Sequence, residues 1–510
     1  MCSISGIISF NPKKLKLINK MIESQSHRAP DEDGFYLGKN ISLGMGRLKI
    51  IDLKSKNLVP FYDDNFVLLF NGEIYNYIEL KQELKKYGFK FRSNSDTEVL
   101  FNAWKKWGEN VFEKLNGMYA FCVYDKIKNN LYLARDIAGE KPLYYTSNKD
   151  GFFFSSEAKS LKIVQKPIIR NNKFYDHFQY CFDKTLWKGV KQLKPAHYLK
   201  INLKNRKTQL IEYWKFKKRK IILKDAQEEL NFLLRDSIRL RNRSDVNVGL
   251  YYSRGVDSTL LRIFNNYKKL IYFDDKKNYL SDFNKNVKKI AYHLDFPVGS
   301  LSSYPLLKLA QKAKKNNIKV VISGEGADEI FGGYVRYMPI AKQYYTNKTF
   351  PSYVPLFKKI NNSYSDNYSI LISKGKDFNY VKEIIKKYFD LFDDPINAMG
   401  FVDFKLIMPG LLQMGDRMSS SLGIENRCPF LDKRIIEFGF SLPPELKINN
   451  FMQKKILLDL LSKNNKKNYS IVTEKKGLSF NIKRWYTSND QNRNKYSKLL
   501  YQAWKKTYNI

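Results

Sequence analysis

Cysteine is scarce. The chain carries four, Cys2, Cys122, Cys181 and Cys428, in 510 residues, and no two stand at Cys-x-x-Cys spacing. That excludes a disulfide framework and a clustered cysteine zinc site as sources of stability, and a reducing cytoplasm is the expected compartment. Long apolar runs are missing too: none approaches the roughly 18 residues needed to cross a bilayer. The first lysines, Lys13 and Lys14, follow the N-terminal apolar stretch, the wrong order for a secretory signal. No membrane partner and no export are expected. Acidic residues are few beside basic ones, 50 against 90, which leaves a formal net charge of +40. A charge of that size is one mark of nucleic-acid binding. Here the lysines are scattered through nearly every segment, without an RNA-recognition or helix-turn-helix signature, so a lysine-rich surface is the better reading and no nucleic-acid partner is expected.

The residues present favour folded domains. Apolar content of 43% and aromatic content of 15% supply enough surface for substantial cores, and 510 residues point to two domains rather than one. The first half reads as short β runs, among them "CSISGIISF", "FVLLFNGEIYNY", "MYAFCVYD" and "NLYLARD", bounded by Asn, Asp, Gly or Lys. A helix is predicted from Thr97 to Lys106, where Val99, Leu100 and Trp104 recur at helical spacing. The basic run KFKKRK at 215–220 reads as a solvated connector. Beyond it the rhythm changes: "AQEELNFLLRDSIRLR" predicts an amphipathic helix, "DVNVGLYYS" a buried strand, "STLLRIFNNY" a helix and "IKVVIS" a second apolar strand. Strands alternating with helices imply a parallel sheet. From about residue 395 onward the pattern is mainly helical.

Three stretches carry chemistry. Cys2 would become the N-terminal residue on removal of Met1, which would pair a thiol with a free α-amine able to serve as its base; the plainer reading is a small residue opening a strand. "SRGVDS" (253–258) and "SGEGADEIFGGY" (323–334) each follow a buried strand and precede a helix, where open α/β sheets bind ligands. In the first, Ser253, Gly255 and Ser258 offer backbone and hydroxyl donors to a pyrophosphate, and Asp257 beside phosphate makes sense with a magnesium ion between them. Either loop alone reads more readily as a capped structural turn.

Together the loops resemble the ATP pyrophosphatase motif of the asparagine synthetase family, and the resemblance extends over nearly the whole chain. "HRAPDEDGFY" (27–36), "FNGEIYNY" (70–77), "SDTEVL" (95–100), "ARDIAGEKPLYY" (134–145) and "FSSEAKSL" (154–161) are similar to blocks of the family's glutaminase half, and "DRMSSSLGIENRCPFLDKRIIEFGFSLPPELKI" (416–448) to its synthetase half. The resemblance implies an α/β and α+β protein of two domains: an N-terminal nucleophile αββα glutaminase sandwich over residues 2–214, then a parallel-sheet, adenine-nucleotide-hydrolase-like synthetase domain over 225–500. It implies Cys2 as the nucleophile, Asn71 and Gly72 as oxyanion donors, Arg47 on the glutamine α-carboxylate, and Glu73 and Asp96 on its α-amine. In the second half it implies Ser253, Arg254, Gly255, Asp257, Ser258, Ser323 and Gly324 around ATP, and Asp257 and Asp328 as magnesium ligands. Glu325 would take a proton from attacking ammonia, and Lys475 would stabilise phosphate charge, with Lys476 an adjacent competitor. The implied substrates are glutamine, ATP and aspartate or another carboxylate, with ATP and Mg2+ as required small molecules; a homodimer is an open expectation.

The chain departs from the family pattern in three places. Ser3 follows the nucleophile where glycine is usual, and a glycine-only backbone there would misplace Cys2. Arg254 replaces the first glycine of the pyrophosphate loop, where it would either obstruct the phosphates or bring them a fixed charge. Only 70 positions separate Ser253 from Ser323, a short interval for the family, in the region that shapes the adenine pocket. These departures keep two alternatives open: a paralogue amidating another acid, such as a sugar acid in surface-glycan assembly, and a glutaminase-only or regulatory protein.

Overall fold

The computed structural model describes residues 1–56, 58–169, 183–273, 280–296, 302–346, 363–373, 379–449, 452–465, 469 and 489–508. Cys181, Lys475 and Lys476 lie outside the described residues, as does part of the short interval between the two ATP loops.

Twelve strands build the first domain: β1 (Ser3–Ile8), β2 (Glu32–Leu37), β3 (Ile41–Arg47), β4 (Phe61–Tyr62), β5 (Phe66–Ile74), β6 (Gly117–Asp125), β7 (Asn130–Arg135), β8 (Tyr144–Asn148), β9 (Gly151–Ser155), β10 (Lys191–Gln192), β11 (His197–Asn202) and β12 (Thr208–Glu212). Among the described residues they form two six-stranded sheets, ordered β10-β8-β9-β1-β3-β2 and β12-β11-β7-β6-β5-β4. Every pairing in them is antiparallel. The two sheets share one apolar core that includes Ile4, Leu43 and Met45 of the first and Val67, Leu69 and Cys122 of the second. Helix Ile18–Glu23 covers the outer face of the first sheet and helix Asp96–Trp107 that of the second. Covering both faces explains why β5 and β6 read as near-continuous apolar runs instead of alternating. The result is a four-layer αββα sandwich.

The run at 215–220 has no regular structure and its charged residues are exposed, while Phe216 anchors it against Phe392, Phe401 and Phe440. Beyond it, β13 (Val248–Tyr251), β14 (Leu270–Ile271), β15 (Val320–Ile322) and β16 (Glu425–Arg427) form an all-parallel sheet in the order β14-β13-β15-β16. Helix Ala226–Arg241 matches the sequence reading residue for residue, and helix Val256–Asn265 begins two residues earlier than "STLLRIFNNY". The chain runs from β13 to one side and returns to the other at β15, so the crevice at this reversal lies between the ends of β13 and β15. Both "SRGVDS" and "SGEGADE" open there.

One strand was not expected. β16 interrupts the mainly helical C-terminal region with three buried polar residues, and it pairs through Val320↔Glu425 and Ile322↔Arg427. Its side chains reach the first domain, where the guanidinium of Arg427 stands 3.2 Å from Glu73. Other buried pairs also cross this junction: Arg28 donates to Asp416 at 2.7 Å, the Arg417 guanidinium stands 2.7 Å from Glu157 as an ion pair, and Asn116 donates to Asp432 at 3.0 Å. A single substitution among such pairs would strand a buried charge, typically at about 3–5 kcal/mol.

Candidate active sites

The first site is assembled at the ends of β1, β3 and β5. Antiparallel pairing of Ser3 with Gly46 sets Cys2 against Arg47. Ser3 is buried in ordinary extended pairing, without positive φ, so the backbone after Cys2 does not require glycine there. Cys2 is partly buried, and its backbone N–H donates to Asn71 Oδ1 at 3.1 Å. This fixes the Asn71 amide so that its Nδ2, fully buried, has no hydrogen-bond partner among the described residues. A buried donor left unpaired is costly unless a ligand completes it. Gly72 has φ +154°, and a Cβ there would stand 2.0 Å from the carbonyl oxygen of Met118. Only glycine fits.

Charge is distributed around this donor. Arg47 is buried, and its guanidinium is oriented by the carbonyls of Ile51 at 2.9 Å and Asp52 at 2.8 Å. Glu32 also stands 3.4 Å from it, while the planar guanidinium keeps the fork geometry that suits a carboxylate ligand. Glu73 is buried with Oε2 unpartnered among the described residues, and burial raises its pKa well above the usual range against the opposing pull of Arg427. Asp96, at the start of its helix, accepts the Ile74 N–H at 3.0 Å, and burial raises its pKa to about 6. Two carboxylates facing one space suit an ammonium group, which would lower both values on binding. Because Asp96 is ionised above its raised value and neutral below it, a ligand ammonium held between the two carboxylates should bind about tenfold more weakly per pH unit below about 6. A binding profile from pH 5 to 8 checks this, and Asp96→Asn should flatten it.

In the chain as it stands Met1 precedes Cys2 and is buried, with its Sδ accepting from Lys141 at 3.0 Å and its ammonium 3.8 Å from Glu425. The Cys2 nitrogen is then a peptide N–H and no base. Burial raises the Cys2 thiol pKa, while the nearby N-terminal ammonium and Arg47 oppose that shift.

The second site lies at the crevice of the parallel sheet. Ser253 and Ser258 hydroxyls are 3.1 Å apart, Ser258 Oγ accepts the Ser253 N–H, and the Gly255 N–H donates to Ser253 Oγ, so the loop is a closed turn at the head of helix Val256–Asn265. Arg254 has φ +64°. That explains why a glycine is the easier residue here, and the strain marks the position as one the surrounding structure enforces. The Arg254 guanidinium lies 6.0 Å from the Tyr272 ring, beyond the end of the neighbouring strand β14.

The loop after β15 lies against the first. A Cβ on Gly324 would come within 3.0 Å of Asp257 Cβ. Ser323 donates its N–H to the Arg427 carbonyl at 3.0 Å, and its hydroxyl is 3.5 Å from the Cys428 thiol. Glu325 occupies the turn between β15 and helix Ala327–Phe331, half-buried and near Cys428. Asp257 and Asp328, from different loops, converge on one cation: Lys454 Nζ stands 2.5 Å from the first and 2.7 Å from the second. Lys454 is buried and held at φ +55°, and Gly333 leaves room for its stem, since a Cβ there would meet Lys454 Cε at 2.1 Å. The two carboxylates already share the Lys454 ammonium; their oxygens are of the ligand type that magnesium takes.

The structure therefore brings Cys2, Arg47, Asn71, Gly72, Glu73 and Asp96 into one group and Ser253, Arg254, Gly255, Asp257, Ser258, Ser323, Gly324, Glu325 and Asp328 into another; Lys475 and Lys476 remain outside the described residues. Sequence reasoning missed Glu425, Arg427 and Lys454. The first two belong to the synthetase half by position yet border the first site, and Lys454 lies in "FMQKKILL", which reads as the start of a helix.

Residues 1–214 match a sequence profile described as a glutamine amidotransferase domain, and residues 280–503 one described as asparagine synthase. The chain is 30% identical over 535 residues to glutamine-hydrolyzing asparagine synthetase 1 of Bacillus subtilis, covering 90% of this chain and 83% of that relative. It is 32% identical over 397 residues to putative glutamine-hydrolyzing asparagine synthetase 2 of Methanocaldococcus jannaschii, covering 66% of this chain and 76% of that relative. A solved structure, the glutamine phosphoribosylpyrophosphate amidotransferase of B. subtilis complexed with ADP and GMP, overlaps 64% of this chain and 81% of its own at 13% identity and a TM-score of 0.31.

Proposed function

This chain belongs to the glutamine-hydrolysing asparagine synthetase family, and we propose that it transfers the amide nitrogen of glutamine to an ATP-activated aspartate, giving asparagine, glutamate, AMP and pyrophosphate. The observation that carries the reading is the unpaired Asn71 Nδ2 beside Cys2, a buried donor waiting for an oxyanion.

With Met1 removed, the Cys2 α-amine takes the thiol proton and the sulfur attacks the glutamine side-chain carbonyl. Arg47 holds the substrate carboxylate, and Glu73 with Asp96 holds its ammonium. The oxyanion of the tetrahedral intermediate receives hydrogen bonds from Asn71 Nδ2 and the Gly72 N–H. Collapse expels ammonia, whose nitrogen takes the proton from the α-amine, and water then releases glutamate from the thioester. Asn71→Ala should lower glutaminase kcat about 100- to 1,000-fold with little change in KM, as expected for a contact made only in the transition state. Steady-state glutamate release measures it.

At the second site the loop donors of Ser253, Gly255 and Ser258 bind the ATP phosphates, and Arg254 contributes charge from its enforced position. Asp257 and Asp328 would hold Mg2+, which would supply charge neutralisation on the phosphates. The acceptor carboxylate attacks the α-phosphorus, pyrophosphate leaves, and ammonia displaces AMP from the acyl adenylate while Glu325 accepts the excess proton. The test is incubation with glutamine, ATP and magnesium against aspartate and a panel of other acids, read by mass spectrometry for AMP and amide. Asparagine is the expected product. Amide formed on another acid alone would assign the paralogous activity, and glutamate without AMP would reject the synthetase reading.

A further inference from the structure

All three residues of β16 are buried. Its backbone pairs with β15 in the second domain, while Glu425 and Arg427, two positions apart, project from one face of the strand toward the first domain. The Arg427 guanidinium is fixed along two edges: Nε donates to Glu425 Oε1 at 2.8 Å, and Nη1 donates to the carbonyls of Arg241 at 2.9 Å and Arg243 at 2.7 Å. Its remaining nitrogen, Nη2, makes no hydrogen bond among the described residues and stands 3.2 Å from Glu73 Oε1. Glu73 is thus held through one oxygen and offers the other, Oε2, to a ligand.

The charges around Glu73 say what this arrangement does. Asp96 and Glu425 are carboxylates, and Arg427 and the N-terminal ammonium oppose them. Burial drives the Glu73 carboxyl toward its neutral form, and the neighbouring carboxylates push the same way. A neutral acid holds an ammonium group less tightly than a carboxylate does. Of the two cations, the N-terminal amine gains and loses a proton in each turnover of the scheme above, so the permanent charge is that of Arg427. Resting on the function proposed above, we propose that Arg427, a residue of the synthetase half, is a positioning residue for glutamine recognition in the glutaminase half: it holds Glu73 by one oxygen, keeps it ionised, and leaves the other oxygen for the substrate α-ammonium. The glutamine site is then complete only with a side chain from the second domain.

The test is the preference for glutamine over glutaramate, the same amide without the α-amino group, measured as the ratio of their kcat/KM values in the full-length enzyme. Such a ratio does not depend on how much of a variant folds, and a merely structural loss, which slows both substrates equally, leaves it unchanged. Arg427→Met should lower the preference about 10- to 100-fold, the worth of one hydrogen bond to a charged group, toward the value for Glu73→Gln. Arg427→Lys, which keeps the charge, should retain most of it, and this variant decides where Arg427→Met is inactive. A wild-type preference in Arg427→Met, or a preference in Arg427→Lys as low as that of Glu73→Gln, overturns the assignment. Wild-type enzyme that hydrolyses both amides equally well, or neither, would instead overturn the glutamine reading of the first site.

Discussion

Cys2→Ala should abolish glutamine-driven synthesis while sparing synthesis from ammonium. The expected fall in glutaminase rate is at least about 1,000-fold, a barrier increase of about 4 kcal/mol. No other described thiol can replace it: Cys122 and Cys428 are buried, and burial pushes both thiols well up. Iodoacetamide should therefore inactivate glutamine use through its adduct at Cys2, and intact mass should place that cysteine at the N-terminus of active enzyme. Retention of Met1 in fully active protein would defeat the scheme, because a peptide nitrogen cannot take the thiol proton. The same result would follow if the alanine variant released glutamate at the wild-type rate.

The two sites were legible to different depths. Gly72, Glu73 and Asp96 stand in local blocks that resemble a known family, and the resemblance, not their chemistry alone, implied their roles, whereas helix Ala226–Arg241 shows in its 3.6-residue period. β16 was not legible, because "ENR" has no apolar alternation. It is a strand because β15 lends it a hydrogen-bonding edge and because Glu73 supplies a partner for Arg427, both distant in sequence. Lys454 was hidden for a similar reason: its role depends on two carboxylates 197 and 126 positions upstream that meet only after the sheet has formed. The reverse holds for Arg254. In the sequence it would either obstruct the phosphates or bring them a charge; its positive φ identifies the backbone demand that glycine ordinarily meets and that this chain satisfies under strain.

The carboxylate pair gives the second large effect. In Asp257→Asn, one of the two charges facing the Lys454 ammonium is lost while the size and hydrogen-bonding capacity of the side chain are kept. The remaining carboxylate, Asp328, stays paired with Lys454, so the fold should persist and glutamine hydrolysis at Cys2 should continue. AMP and pyrophosphate formation should fall at least about 100-fold, since electrostatic stabilisation at a phosphoryl centre is worth several kcal/mol. Calorimetric titration with ATP and magnesium separates the causes. Weakened binding in proportion to the lost rate would mean that Asp257 acts in the ground state, and unchanged binding with a collapsed rate would assign it to the transition state. Wild-type pyrophosphate release from Asp257→Asn would remove this aspartate from the ATP site, leaving the Lys454 pair as an ion pair that braces two loops.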